Sequence, residues 1–238
     1  MGNNYRNSIT IGVLSIVVSA SLIGCSSPQT TLMNGESITV VQGEQVTDSL
    51  GTYSKIKLDP SNPFLKFDKT ASFVDMASLE SNGFTEADAA AAQKAAVTFA
   101  STDMIDNAAV DLPANSAETF ANIVGTYGTG QYLSDLSNPN SKLIYIQPDG
   151  ITFARDGGTR ISSVTTRIDE VAGATFKKDG LASIMVSGVT LVDYRMAPSN
   201  DNKIAQVEAG WTLRMNPDGN GNWKIVGCNS DYITTLLK

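Results

Sequence analysis

Ala205-Gln-Val-Glu-Ala-Gly-Trp211-Thr-Leu-Arg-Met215 is the stretch that decides the fold. Ala205, Val207, Ala209, Trp211, Leu213 and Met215 alternate with Gln206, Glu208, Gly210, Thr212 and Arg214. A period of two places the first set on one face of a strand and the second on the other. Such a strand buries one face and wets the other, which is the habit of antiparallel sheets. Working outward, Leu181 to Met196 puts Ala182, Ile184, Val186, Val192, Tyr194 and Met196 on one side. It is long enough to need a bend, and Gly188 is the expected bulge or bend point. Turn signals recur from Leu143 onward, at Pro148-Asp149-Gly150, Asp156-Gly157-Gly158, Asp179-Gly180, 198–202 and 216–222, so this half of the chain reads as hairpins.

The earlier half has a helical period. Thr85 with Asp88 three residues on forms a capping box, and the alanine-rich run from Ala87 to Ala100 has high helix propensity. Val97, Ala100, Met104 and Ala108 share a face, and so many alanines allow a neighbour to come close. A shorter helix carrying Phe73, Met76 and Leu79 is stopped by Asn82-Gly83. Beyond Pro113, Asn115 and Glu118 cap another, with Phe120, Ile123, Val124 and Tyr127 as its core stripe. Ahead of these, Ile38 to Gln42 and Tyr53 to Leu58 are strand-like and are expected to add an edge to the main sheet. Asp59-Pro60-Ser61-Asn62-Pro63 marks a boundary. Helices followed by a meander of strands indicate the α+β class.

The stretch from Trp211 through Asn216-Pro217-Asp218-Gly219 to Trp223 and Val226 resembles the closing hairpin of nuclear transport factor two-like domains. The resemblance spans roughly Thr85 to Cys228. It implies a cystatin-like cone, with N-terminal helices packed on a curved antiparallel sheet. Members of that family include ketosteroid isomerase-like enzymes, polyketide cyclases, carrier-like modules, and adaptor domains in secretion and conjugation machines, so the fold alone does not choose among them.

Residues 1–24 form a separate unit. A single basic residue, Arg6, precedes the uncharged run Ile9 to Ile23, and Leu22-Ile23-Gly24-Cys25 resembles the lipobox of bacterial lipoproteins. The run is shorter than the roughly 20 apolar residues of a spanning helix. The resemblance implies cleavage between Gly24 and Cys25, lipidation of Cys25, and membrane contact through its acyl chains on the extracytoplasmic side of the cell membrane or outer membrane. The organisation expected is a signal peptide (1–24), a flexible tether (25–35), a strand-bearing leader segment (36–60) and one α+β domain (61–238).

Of 17 basic side chains, Arg6 alone lies in 1–24, so the mature chain carries 16 against 24 acidic ones, a net of −8. Nucleic acid is not an expected partner. If Cys25 is lipidated, Cys228 has no disulfide partner in the chain and reads as a buried small hydrophobe. Histidine is absent, which removes imidazole bases and imidazole zinc sites.

Asp218-Gly219-Asn220-Gly221-Asn222 has the oxygen spacing that opens a calcium loop, but Trp223 and Asn229 stand where glycine and glutamate are required, so a hairpin loop is the better reading. Gly125 to Gly130 follows a helix and lacks lysine, which suits a helix cap rather than a phosphate loop. Asp103 and Asp106 are a candidate carboxylate pair, though solvated aspartates near a helix end are the usual case. Asp193, Tyr194 and Tyr127 approach the Asp and Tyr set of the isomerase-like relatives, but strand parity sends Asp193 and Tyr194 to opposite faces. No catalytic set, metal site or cofactor is expected. The function expected is a lipid-anchored, non-catalytic binding or adaptor module with a protein partner in the envelope, contacted by an outer sheet face bearing Glu208 and Arg214. A small-ligand carrier or isomerase-like enzyme using the mouth of the cone is the alternative.

Overall fold

The computed structural model describes residues 5–7, 36–37, 40–62, 65–106, 152–177, 180–197 and 203–237. Among them are ten strands and two helices: β1 (Tyr5–Asn7), β2 (Glu36–Ser37), β3 (Val40–Asp48), β4 (Gly51–Leu58), β5 (Val74–Asp75), α1 (Met76–Ser81), α2 (Glu86–Ser101), β6 (Asp156–Thr159), β7 (Ile161–Thr175), β8 (Ala182–Arg195), β9 (Ile204–Pro217) and β10 (Trp223–Leu237). The main sheet runs β1-β10-β9-β8-β7-β2, with β5 also alongside β7, and a second sheet runs β3-β4-β6.

The expected α+β cone, N-terminal helices packed on a curved sheet, is therefore corrected. The described chain is mostly β, in two sheets, with one helix of six residues and one of sixteen. Two features displace the cone. The segment expected to add an edge to the main sheet folds back through β3 and β4 as the core of a separate sheet. Its third strand, β6, pairs in parallel with β4 from about 100 residues further along the chain. The helix expected over Asn115 to Tyr127, with the glycine run 125–130, lies outside the described residues.

Periodicity explains the main sheet. Ala205, Val207, Ala209, Trp211, Leu213 and Met215 are all nearly or fully buried, and so are Ile184, Val186, Val192, Tyr194 and Met196 on β8. Strands β7 to β10 have 14 or 15 residues each, and the irregularities such lengths need fall on β7 and β10. Gly188 pairs in register with Trp211, while the slip lies across from it on β7, between Ile168 and Glu170. The glycine serves close approach instead: a Cβ there would sit 2.3 Å from the Arg167 carbonyl oxygen and 2.7 Å from the Trp211 ring.

Helix α2 begins as its capping box dictates. The Thr85 side chain accepts from the Asp88 N–H and the Asp88 carboxylate accepts from the Thr85 N–H. Ala89, Ala92, Ala96, Val97 and Ala100 are fully buried, and the helix lies against β7 to β10. Under its last turn a line of buried polar groups crosses the core, from Ser101 to Thr166 (3.3 Å), to Thr190 (3.1 Å), to the Trp211 indole N–H (3.0 Å). Each group finds its partner inside, so the desolvation cost of burying it is offset. Ile56 and Leu58 of the small sheet belong to the same apolar cluster as the main-sheet core.

Candidate functional site

A buried cluster of charge lies where the small sheet meets the end of α2. By alternation along β4, Tyr53 shares a face with Lys55 and Lys57 rather than with Ile56 and Leu58, so its burial comes from the charged side chains packed on its ring. Tyr53 has no exposed surface, and the guanidinium of Arg160 lies 3.8 Å from its ring centroid and that of Arg155 4.5 Å. Arg160 Nε donates to Asp106 Oδ1 at 2.7 Å, and neither side chain has exposed surface. The second oxygen, Asp106 Oδ2, accepts from the Ile56 N–H at 2.6 Å. Arg155 forks onto Asp48, with Nε and Nη2 donating at 3.0 and 2.9 Å to one oxygen. Two arginines thus hold one tyrosine, and each is matched by an aspartate; such cation–π contacts strengthen when water is excluded.

The Tyr53 hydroxyl itself has no hydrogen-bond partner among the described residues. Burial is the main cause pushing its phenol up, to about 12, with Asp106 and Asp48 adding to the rise and the two arginines opposing it. Next to this cluster a groove of about 580 Å³ opens between β6, β8 and the start of β9, with Leu50, Arg155, Asp156, Arg195 and Ile204 in its wall. Arg195 is ion-paired with Asp156 there, so both arginines of the groove already face carboxylates.

No family model, curated protein or solved structure matches this chain.

The residues singled out in the sequence are scattered. Asp106 is the fully buried partner of Arg160, and Asp103 is ion-paired with Lys55 at 2.8 Å. The two aspartates therefore do not act as a pair: each ties a different residue of β4 to the end of α2. Asp193 lies on the outer face, accepting from Ser163 Oγ at 2.7 Å and Gln206 Nε2 at 2.8 Å. Tyr194 lies in the core, stacked on Phe153 at 4.1 Å, with its hydroxyl donating to the Ile105 carbonyl at 2.6 Å. Parity separates them as the alternation requires. Tyr127, Gly24 and Cys25 lie outside the described residues.

Asp218 holds its own loop, accepting from the N–H groups of Asn220 (2.8 Å) and Asn222 (3.1 Å). The Asn220 N–H and the Asn222 side chain are the first causes that pull its carboxyl below the usual value. Cys228 is half-buried on β10. Glu208 is exposed on the outer face of β9, but Arg214 is 8 % exposed. Its guanidinium lies 3.9 Å from the Phe176 ring centroid and donates to Ser183 Oγ at 2.7 Å. A long cationic side chain on a wet face can fold down onto apolar surface in this way.

Tyr53, Arg155, Arg160 and Asp48 were not legible as a cluster. The pairs are 54 and 107 residues apart in sequence, and no local motif links them.

Proposed function

We propose that this chain is a lipid-anchored module of a bacterial envelope that binds a protein partner rather than converting a small molecule. The observation that carries this reading is the use of its carboxylates. Asp103, Asp106 and Asp193, the groups considered for acid–base work, are each engaged in ion pairs or hydrogen bonds that hold strands and helix together. A general acid or base must instead face a substrate proton within hydrogen-bond reach. Glu208 remains on an exposed sheet face, where a partner can meet it, whereas Arg214 serves the fold. The carrier or isomerase alternative depended on the mouth of a cone, and the described fold is not that cone.

Anchoring through Cys25 follows from the lipobox, and the surplus of acidic side chains disfavours direct adhesion to anionic lipid. The test is Cys25→Ser followed by fractionation of cells. The expected outcome is an unprocessed chain with its leader still attached and no acyl group. Cleavage at the same bond with unchanged membrane retention would refute the anchor.

A further inference from the structure

Strand β10 is fifteen residues long and lies near the edge of the main sheet; among the described residues, only Tyr232, Ile233 and Thr234 have a strand on their outer side, the three-residue β1. A long edge strand is a template for further pairing, and proteins blunt such edges with charge, proline or bulges. The first half of β10 is blunted: its register against β9 slips between Ile225 and Gly227, with Lys224 beside the slip. The last half is not. From Tyr232 to Leu237 there is neither charge nor proline. Ile233, Leu236 and Leu237, three of the six exposed large hydrophobics among the described residues, fall there. The guard on that half is β1, and β1 lies in the leader that lipoprotein processing removes.

We propose that loss of the leader uncovers this edge and that β10 of a second copy takes the place of β1, joining two main sheets across a two-fold axis at Ile233. The natural trigger rests on the lipoprotein reading; the pairing itself does not. β1 runs antiparallel to β10 with Arg6 opposite Ile233, the same sense a second β10 must take about a two-fold axis. With the axis there, Ile233 meets its own copy, Thr234 meets Tyr232, Thr235 meets Asp231, and Leu237 meets Asn229. No like charges are opposed, and the slip at 225–227 stays outside the paired stretch. Registers shifted toward Trp223 bring the slip into the pairing and lose ladder hydrogen bonds.

The test uses the full chain with a specific protease site placed between Gly24 and Cys25, cut after folding. In a Cys25→Ser, Cys228→Ser background, Ile233→Cys supplies the one thiol. In antiparallel pairing, opposed Cα atoms lie about 4.5–5.5 Å apart, within disulfide reach. Cutting should raise the yield of cross-linked dimer by about tenfold or more. Thr47→Cys on the small sheet, in the same background, should remain monomeric. In sedimentation the cut chain with Ile233 intact should show twice the monomer mass, and Ile233→Lys should return it to monomer with an unchanged circular dichroism spectrum. A cut chain that is monomeric at about 100 μM overturns the proposal, as does a dimer indifferent to Ile233→Lys or equal cross-linking at position 47. If cells never remove the leader, the lipoprotein reading fails, yet the cut protein still decides whether the edge self-pairs.

Discussion

Asp106→Ala removes the carboxylate at the centre of the junction between the small sheet and α2. Two things are lost. Arg160, which has no exposed surface, loses the carboxylate 2.7 Å from its Nε, and the Ile56 N–H loses its acceptor at 2.6 Å. Breaking a buried ion pair by deleting one partner costs about 3–5 kcal/mol, because the remaining charge stays buried. An orphaned backbone N–H adds about 1–3 kcal/mol, although the two losses overlap. The expected total is about 4–5 kcal/mol. With a urea slope of about 2 kcal/mol per M, the unfolding midpoint should fall by about 2 M. Domains are commonly stable by only about 5–15 kcal/mol, so this variant should lose roughly a third or more of its stability. The double variant Asp106→Leu with Arg160→Met removes both charges and should cost less than Asp106→Ala alone. The assay is equilibrium urea unfolding of the wild type and both variants. A loss below about 1 kcal/mol for Asp106→Ala would refute the structural role given to the pair and return Asp106 to the list of chemical groups.

Tyr53→Phe should be neutral or stabilise by up to about 1 kcal/mol, since it removes a buried hydroxyl that has no partner among the described residues and keeps the ring between its arginines. Its effect depends on pH. The folded phenol is raised from 10.0 to about 12, so the fold holds a proton that the unfolded chain releases; that contribution is full below pH 10 and is lost as pH rises toward 12. Thermal melts across this window should therefore show a shallower alkaline decline for Tyr53→Phe, and an unchanged slope refutes the assignment. Gly188→Ala forces a Cβ to within 2.3 Å of the Arg167 carbonyl oxygen, a backbone atom that cannot rotate away. The expected loss is about 2–3 kcal/mol, or about 5–10 °C in Tm; an unshifted melt would show that β7 and Trp211 do not approach as described.

What the sequence reveals and what it hides divide along sequence distance. The alternation over 205–215 sets the buried face of β9, and Thr85 with Asp88 sets the start of α2, because every residue involved lies within one strand or one turn. The small sheet was hidden because a strand's pattern does not name its neighbour: Tyr53 to Leu58 read as a strand, but nothing local distinguishes joining the main sheet from pairing with β6. The same holds for Asp106, which looked like a solvated aspartate near a helix end until Arg160 arrived from across the fold. Arg214 misled for another reason. Strand parity assigned it to the wet face, but parity fixes where a side chain starts and not where a long one folds, and this one lies over Phe176.

The parallel pairing of β4 with β6 also sets an order of assembly. Strands β7 to β10 follow one another in sequence, separated by only five to eight residues, so each hairpin closes a small loop. Joining Thr52 to Asp156 closes a loop of about 100 residues, and its entropy cost must be met before any contact forms in return. Such non-local pairings slow folding. The meander can therefore gather first, with β3 and β4 docking onto it afterwards through Asp106, Arg160 and Tyr53. A chain exported unfolded would pass through a stage in which the long hairpins exist and the charged junction is still open to water.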